Sequence, residues 1–153
     1  MKGFGEQHNS KNKKNKNTKP PKEKIIHKAF KAHSEGNISE AAKYYKEFIN
    51  QGFKDYRVFS NYGEILKSIG ELKQAEIYTR KAIEINPNFA EAYSNLGNVL
   101  LDLGNSEEAE LSTRKAIELN PDFAEAHLNL GKILTDLGKL QQAELCQQKA
   151  IEI

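Results

Sequence analysis

A repeat of 34 residues is the feature that most restricts how this chain of 153 residues can fold. Residues 80–104 and 114–138, aligned without a gap, are identical at 18 of 25 positions. The same step relates two further sets of residues, namely Gly36, Gly70, Gly104 and Gly138, and Ala41, Ala75, Ala109 and Ala143. Because self-similarity at a fixed period is typical of repeat architectures, we expect one structural unit to be copied along the chain.

Each unit is predicted to be a pair of α-helices. Phe89, Tyr93, Leu96 and Leu100 recur at steps of three and four residues, which places them on one face of a helix. Gly104 follows that face, where a left-handed residue closes a helix. The spacing of a capping box, an Asx residue three positions before a Glu, occurs in Asn88–Glu91, Asn105–Glu108 and Asp122–Glu125. We expect a helix to begin at each of these Asx residues.

A helix-turn-helix of 34 residues with this pattern resembles the tetratricopeptide repeat (TPR) family over residues 22–153, in copies at 22–55, 56–89, 90–123 and 124–153. The resemblance implies an all-α, right-handed superhelical solenoid of about four repeats, with a concave groove. It also implies small residues where paired helices pack, at Gly63, Ala75, Ala82, Gly97, Ala109, Ala116, Gly131, Ala143 and Ala150. The first copy is divergent, with Phe48 at the second-helix Ala position, and the last is incomplete.

In the family, the first helix of each copy forms the wall of the groove. The resemblance therefore implies partner-binding residues at Asn61, Glu64, Asn95, Asn98, Asp102, Asn129, Lys132 and Asp136. Asn61, Asn95 and Asn129 occupy the same position in three copies, similar to the asparagine ladder of the protein O-GlcNAc transferases. An Asn can donate to and accept from a peptide group, so such a ladder would hold an extended ligand. Alternatively, near-identical copies share the Asn through duplication.

We expect a non-catalytic protein–protein interaction module that binds a peptide segment or helix of a partner in its groove. The alternative is the substrate-recognition part of a TPR-containing glycosyltransferase, similar to O-GlcNAc transferase, whose catalytic domain is absent from this chain. The sequence contains no GxGxxG, GxxxxGK[ST], HExxH or GxSxG motif, and we expect no cofactor. We also expect no metal site, since the four histidines and Cys146 lack a second ligand at metal spacing.

Residues 1–21 are rich in Lys and Asn and are predicted to form a disordered tail. Residues 1–24 contain eight Lys and two Glu, a net charge of +6, which leaves −4 for the remainder of a chain whose formal charge is +2. The tail is either a solubilising leader or a basic arm that binds nucleic acid without sequence preference. We favour the leader, because no aromatic or Arg residues interleave with the lysines to stack on bases.

The expected location is the cytoplasm. No apolar run approaches the roughly 18 residues of a membrane-spanning helix, so we expect no membrane partner. The single cysteine fits a reducing compartment. The sequence ends within the last predicted helix, which would expose Leu145, Ile151 and Ile153. We therefore expect either a longer array or contact of this end with a partner or a second copy of the chain.

Overall fold

The computed structural model describes residues 21–153, which form eight α-helices. The helices are α1 (Pro21–Ser34), α2 (Ile38–Asn50), α3 (Tyr56–Ser68), α4 (Leu72–Ile85), α5 (Ala90–Asp102), α6 (Ser106–Leu119), α7 (Ala124–Asp136) and α8 (Leu140–Glu152). Each odd-numbered helix packs against the helix that follows it, and α3, α5 and α7 also contact one another in order. The predicted all-α solenoid of four helix-turn-helix repeats is therefore confirmed.

The predicted disordered tail lies outside the described residues except for Pro21. Pro21 is not part of a tail, because it is the first residue of α1. Proline is favoured at the first helical position, where its fixed φ suits the helix and its missing N–H breaks no hydrogen bond. No helix within residues 21–153 combines the length and apolarity needed to cross a membrane.

Glycine closes the first helix of every repeat, as predicted. Gly36, Gly70, Gly104 and Gly138 have φ values of 73°, 84°, 80° and 72°, in the left-handed region that a side chain disfavours. The chain therefore reverses direction at the same point of each copy, which brings the second helix back along the first.

The structure confirms the predicted helix start at Asn105 but not those at Asn88 and Asp122. The N-cap residues are Phe89 in α5, Asn105 in α6 and Phe123 in α7, and none of the three makes a side-chain capping bond. Asn88 and Asp122 were therefore wrong as N-caps. The reason is a tight turn, in which the Phe89 N–H donates to the Asn86 carbonyl at 3.2 Å and delays the helix. The Glu of each predicted box still lies in the first turn, where it favours the positive helix end.

The two helices of a repeat approach each other at a glycine. A Cβ atom built on Gly97 would collide with Thr113 Oγ1 and lie 3.3 Å from the Ala109 carbonyl oxygen. At Gly131 the nearest atom would be Cγ of Gln147, at 3.2 Å. The predicted small residues are buried from Gly63 to Ala143, and only Ala150 near the end of α8 is half-buried.

Thr113, which lies opposite Gly97 in this contact, is fully buried. Its hydroxyl finds no hydrogen-bond partner among the described residues. The equivalent Thr79 donates to the Ala75 carbonyl at 2.8 Å, so the first of these two cores satisfies its polar group and the second does not. The first repeat instead fills its core with Tyr45 and Phe48, both fully buried.

Ion pairs join consecutive repeats on the second helices. Arg80 Nη2 lies 2.6 Å from Glu108 Oε1, which links α4 to α6. Lys139 Nζ lies 2.6 Å from Glu110 Oε2, which links α6 to the start of α8, and Arg114 adds a contact of 2.8 Å to Glu110. The hydrogen bond from Lys139, supported by Arg114, holds the pKa of Glu110 below its usual value despite the opposing effect of burial.

Several large apolar side chains of α8 face solvent, as expected from the sequence. Leu145, Ile151 and Ile153 are 64%, 84% and 46% exposed. Ile77 and Leu111, which occupy the position of Leu145 in the two preceding repeats, are exposed as well. Each of α4, α6 and α8 therefore carries an exposed apolar side chain at this repeat position.

Gly97→Ala should lower the free energy of unfolding by about 1–3 kcal/mol, because the new methyl group overpacks the contact with Thr113 and the Ala109 carbonyl. Urea unfolding followed by circular dichroism measures the change. Gly131→Ala is the matched control and should lower the free energy of unfolding by less, since the Gln147 side chain can move aside. Gly97→Ala combined with Thr113→Ala should cost less than the sum of the single changes, and strict additivity would contradict the contact.

Glu110→Gln should lower stability at pH 7 by about 1 kcal/mol or less, the range of partly exposed ion pairs. Because the pKa of Glu110 is lower in the folded than in the unfolded chain, its contribution is complete above the unfolded value of about 4.3. It is lost as the pH falls through the folded-state pKa. Urea titrations at pH 7 and pH 3 should thus show a larger difference between variant and parent at pH 7 than at pH 3, and an equal difference at both pH values would refute this assignment.

Candidate functional site

The first helices of the repeats form a continuous groove. Two adjoining cavities of about 490 and 300 Å³ lie along α1, α3, α5 and α7. Glu64, Asn95 and Glu125 line both cavities, which makes the two cavities parts of one groove. Aromatic side chains of Phe30, Phe89 and Phe123 line the larger cavity.

Six of the eight residues predicted for partner binding line this groove: Asn61, Glu64, Asn95, Asn98, Asn129 and Lys132. The other two, Asp102 and Asp136, lie at the ends of α5 and α7 and line neither cavity. Asp102 pairs with Lys67 at 3.1 Å, and Asp136 accepts a hydrogen bond from Ser106. These two carboxylates thus connect neighbouring repeats.

The repeated asparagines make a hydrogen bond that sequence reasoning missed. Each donates from Nδ2 to a hydroxyl oxygen of the preceding repeat: Asn61 to Tyr45 at 3.1 Å, Asn95 to Ser60 at 3.1 Å and Asn129 to Ser94 at 3.0 Å. A signal for it was present in the sequence, since a Ser directly precedes Asn61 and Asn95. The Asn column therefore joins repeats, and we call these three bonds the asparagine bridges.

The asparagine bridges differ in the surface that they leave for a ligand. Asn129 is only 4% exposed, so its side chain is almost entirely occupied by the protein itself. Asn61 and Asn95 are half-buried, and their amide oxygens accept no hydrogen bond from another residue of the described part of the chain. The middle of the groove thus retains amide acceptors that a ligand can reach.

The first bridge extends into the first repeat through Tyr45. Burial raises the pKa of Tyr45, so its phenol stays neutral, accepts from Asn61 Nδ2 and forms a hydrogen bond of 2.9 Å with His33 Nδ1. The Tyr hydroxyl therefore has a partner on each side, which satisfies a polar group whose side chain is otherwise buried.

Some charged side chains of the groove wall form ion pairs with other residues, whereas others do not. Arg57 is bound by Asp55, with Nη2 at 2.8 Å from Oδ2, and its guanidinium lies 5.2 Å from the centre of the Phe30 ring. Burial raises the pKa of Asp55, but the hydrogen bonds from Arg57 outweigh it and hold that pKa below its usual value. The carboxylates of Glu64, Glu91 and Glu125 are exposed, and none pairs with a cation of residues 21–153.

His127 and Cys146 take part in the packing and hydrogen bonding of the described part of the chain. Residues 21–153 hold no group of three or more His, Cys, Asp or Glu able to bind a metal ion. The His127 Nε2–H donates to the Pro121 carbonyl at 2.8 Å. Burial raises the pKa of the Cys146 thiol, which disfavours the nucleophilic thiolate.

Sequence comparison identifies tetratricopeptide repeats within residues 63–145. Two family models described as tetratricopeptide repeat match residues 90–123 and 113–145. A third, described as TPR repeat, matches residues 63–104. No curated protein sequence matches the chain.

Solved structures with the same fold include a crystal structure of MamA, with a TM-score of 0.76 and 23% identity over 86% of this chain and 77% of that one. The crystal structure of YrrB, a TPR protein with an unusual peptide-binding site, has a TM-score of 0.74 and 23% identity over 86% of this chain and 68% of that one. A mutant O-GlcNAc transferase of Thermobaculum terrenum has a TM-score of 0.70 and 23% identity over 76% of this chain but only 23% of the transferase chain. At this identity the likeness establishes the fold alone.

Asn129→Ala should lower the free energy of unfolding by about 1–3 kcal/mol, because it leaves the fully buried Ser94 hydroxyl without its donor. Urea unfolding of Asn129→Ala, Ser94→Ala and the double variant forms a cycle. A coupling of at least about 0.5 kcal/mol is expected for residues in contact. Additive costs would show that the bridge contributes nothing to stability.

Proposed function

Because the chain belongs to the tetratricopeptide repeat family, we propose that its groove binds an extended segment of another protein and catalyses no reaction. Proteins of this family generally bind other proteins or peptides, and the fold here is that of a protein-interaction scaffold. The observation that carries the proposal is the continuous groove that runs over four repeats and holds both amide acceptors and exposed charges. We place this module in the cytoplasm.

The chemistry of the groove suits a polypeptide in extended form. The amide oxygen of the half-buried Asn95, which accepts no hydrogen bond within residues 21–153, can accept from a peptide N–H, while Asn98 on the next turn can donate to a peptide carbonyl. Leu128, which is 44% exposed at the same cavity, offers an apolar contact to an adjacent side chain. A ligand held in this way would be recognised mainly through its backbone, with Glu64 and Lys132 favouring complementary charges at its flanks.

A second candidate is the substrate-recognition part of a glycosyltransferase. It is supported by the column of asparagines and by the fold that the chain has in common with part of the O-GlcNAc transferase structure. The two candidate functions predict different binding partners. Copurification of a glycosyltransferase with the tagged full chain would favour the second, whereas partners without transferase activity favour the first.

Groove binding is tested by selecting peptides on the immobilised full chain from a random displayed library and measuring their affinity by fluorescence anisotropy. The double variant Asn98→Ala/Leu128→Ala should weaken binding about tenfold or more, a loss of roughly 1.4 kcal/mol. The matched control Gln148→Ala/Leu111→Ala, on exposed positions of α8 and α6, should change the affinity less than twofold.

Thermal unfolding of both double variants checks that they remain folded. Failure to select any peptide, or an equal loss of affinity in the groove variant and its control, would overturn the proposed function.

A further inference from the structure

We propose that the groove is occupied by a segment of its own chain, residues 11–19, which a partner must displace. The inference rests on the proposed function, because it assigns a resident ligand to the same groove. It follows from the chemistry of the groove wall, the composition of the segment and the position at which the segment joins α1.

The wall of the larger cavity suits lysine side chains. It combines the exposed carboxylates of Glu64, Glu91 and Glu125 with the rings of Phe89 and Phe123. An ammonium group is attracted both by a carboxylate and by the face of an aromatic ring, and the alkyl stem of Lys packs on apolar surface. The base at this cavity, Arg57, is already paired with Asp55 and therefore repels an incoming cation less.

The segment supplies the complementary groups. Residues 11–19 read KNKKNKNTK, with five Lys, three Asn and one Thr, and contain no apolar residue. Such a segment has nothing to contribute to an apolar core, so any docking of it depends on charge and on amide hydrogen bonds. Its lysines match the groove carboxylates, and its asparagines match the amide acceptors of the half-buried Asn61 and Asn95.

The segment also enters at a suitable point. Pro21, the first residue of α1, corresponds in the repeat to Phe89 and Phe123, which lie at the groove. The axes of packed helices are about 10 Å apart. The helices α3, α5 and α7 contact one another in order, and Phe30 of α1 lies beside Arg57 of α3, so three such steps, or about 30 Å, separate α1 from α7. Nine extended residues span about 30 Å. The segment is therefore long enough to pass the carboxylates on α3, α5 and α7.

Because residues 11–19 are covalently attached to α1, weak contacts are sufficient to hold them in the groove. Each exposed ion pair alone contributes little. Covalent attachment, however, gives the segment an effective concentration in the millimolar range, so that several weak contacts act together. The resulting complex would be sensitive to salt and easily displaced, since exposed charges are screened within about 10 Å at 0.1 M ionic strength. A partner would then need to outcompete the segment before it could occupy the groove.

Carbodiimide cross-linking of the full chain, followed by mass spectrometry, tests this contact, because the reagent joins a lysine amine to a carboxylate that touches it. A mixture of ¹⁵N-labelled and unlabelled chains separates cross-links within one chain from those between copies. Residues 11–19 should cross-link to Glu64, Glu91 and Glu125 within one chain. The yield should be at least about fivefold higher than to Glu84, Glu107 and Glu144, exposed glutamates on α4, α6 and α8.

The preference should disappear in 1 M NaCl. Equal yields at groove and control glutamates would overturn the inference, as would cross-links found only between labelled and unlabelled copies. Equal yields together with salt-sensitive retention on DNA would assign the lysines to nucleic acid instead.

A second measurement separates this inference from the proposed function. Replacement of the five lysines of residues 11–19 by Gln should tighten binding of a selected peptide about tenfold, while replacement by Arg, which keeps the charge, should leave the affinity unchanged. If the Gln variant binds no more tightly but the peptide still depends on Asn98 and Leu128, the inference fails and the proposed function stands. If the cross-links form and no peptide binds either chain, the proposed function fails.

Discussion

The close approach of two helices at a glycine is the contact on which the rest of the structure depends. Where Gly97 faces Thr113, the absence of a Cβ atom lets backbone meet backbone, and the same arrangement recurs at Gly63. Tight pairing within a repeat leaves the apolar faces of both helices pointing towards the neighbouring repeats, because a single pair cannot bury them. Stacking follows from this need, and the row of first helices that it creates is the groove wall.

Hydrogen bonds and ion pairs between repeats fix the register of that stacking. Apolar contacts between similar helices tolerate small shifts, whereas a hydrogen bond between buried groups does not, since a misplaced partner leaves a donor or acceptor unsatisfied. The asparagine bridges lie at the groove wall, and the pairs formed by Glu108 and Glu110 lie on the second helices. Both sides of the stack are thus held in register, and the spacing of ligand groups along the groove is kept constant.

The sequence predicted the parts of this structure that depend on one repeat. Helix pairs, left-handed glycines at the first helix ends and buried alanines all follow from local pattern and the period of 34 residues. The helix starts at Ala90 and Ala124 were missed because a turn bond competes with the Asx cap. The roles of Asn129, Asp102 and Asp136 were missed for a different reason: their partners lie in another repeat, and only the three-dimensional stack shows which side chains face each other.

The asparagine bridges affect how gene duplication can add repeats to such an array. In the second and third repeats the acceptor Ser and the donor Asn are consecutive residues, so gene duplication of one unit copies both halves of the joint. An inserted copy of this kind would match its neighbours on both sides at once, without further mutation. The fourth repeat carries Leu128 in place of the Ser and has lost the accepting half, whereas Tyr45 supplies it in the first. The second and third repeats are thus interchangeable in a way that the first and fourth are not.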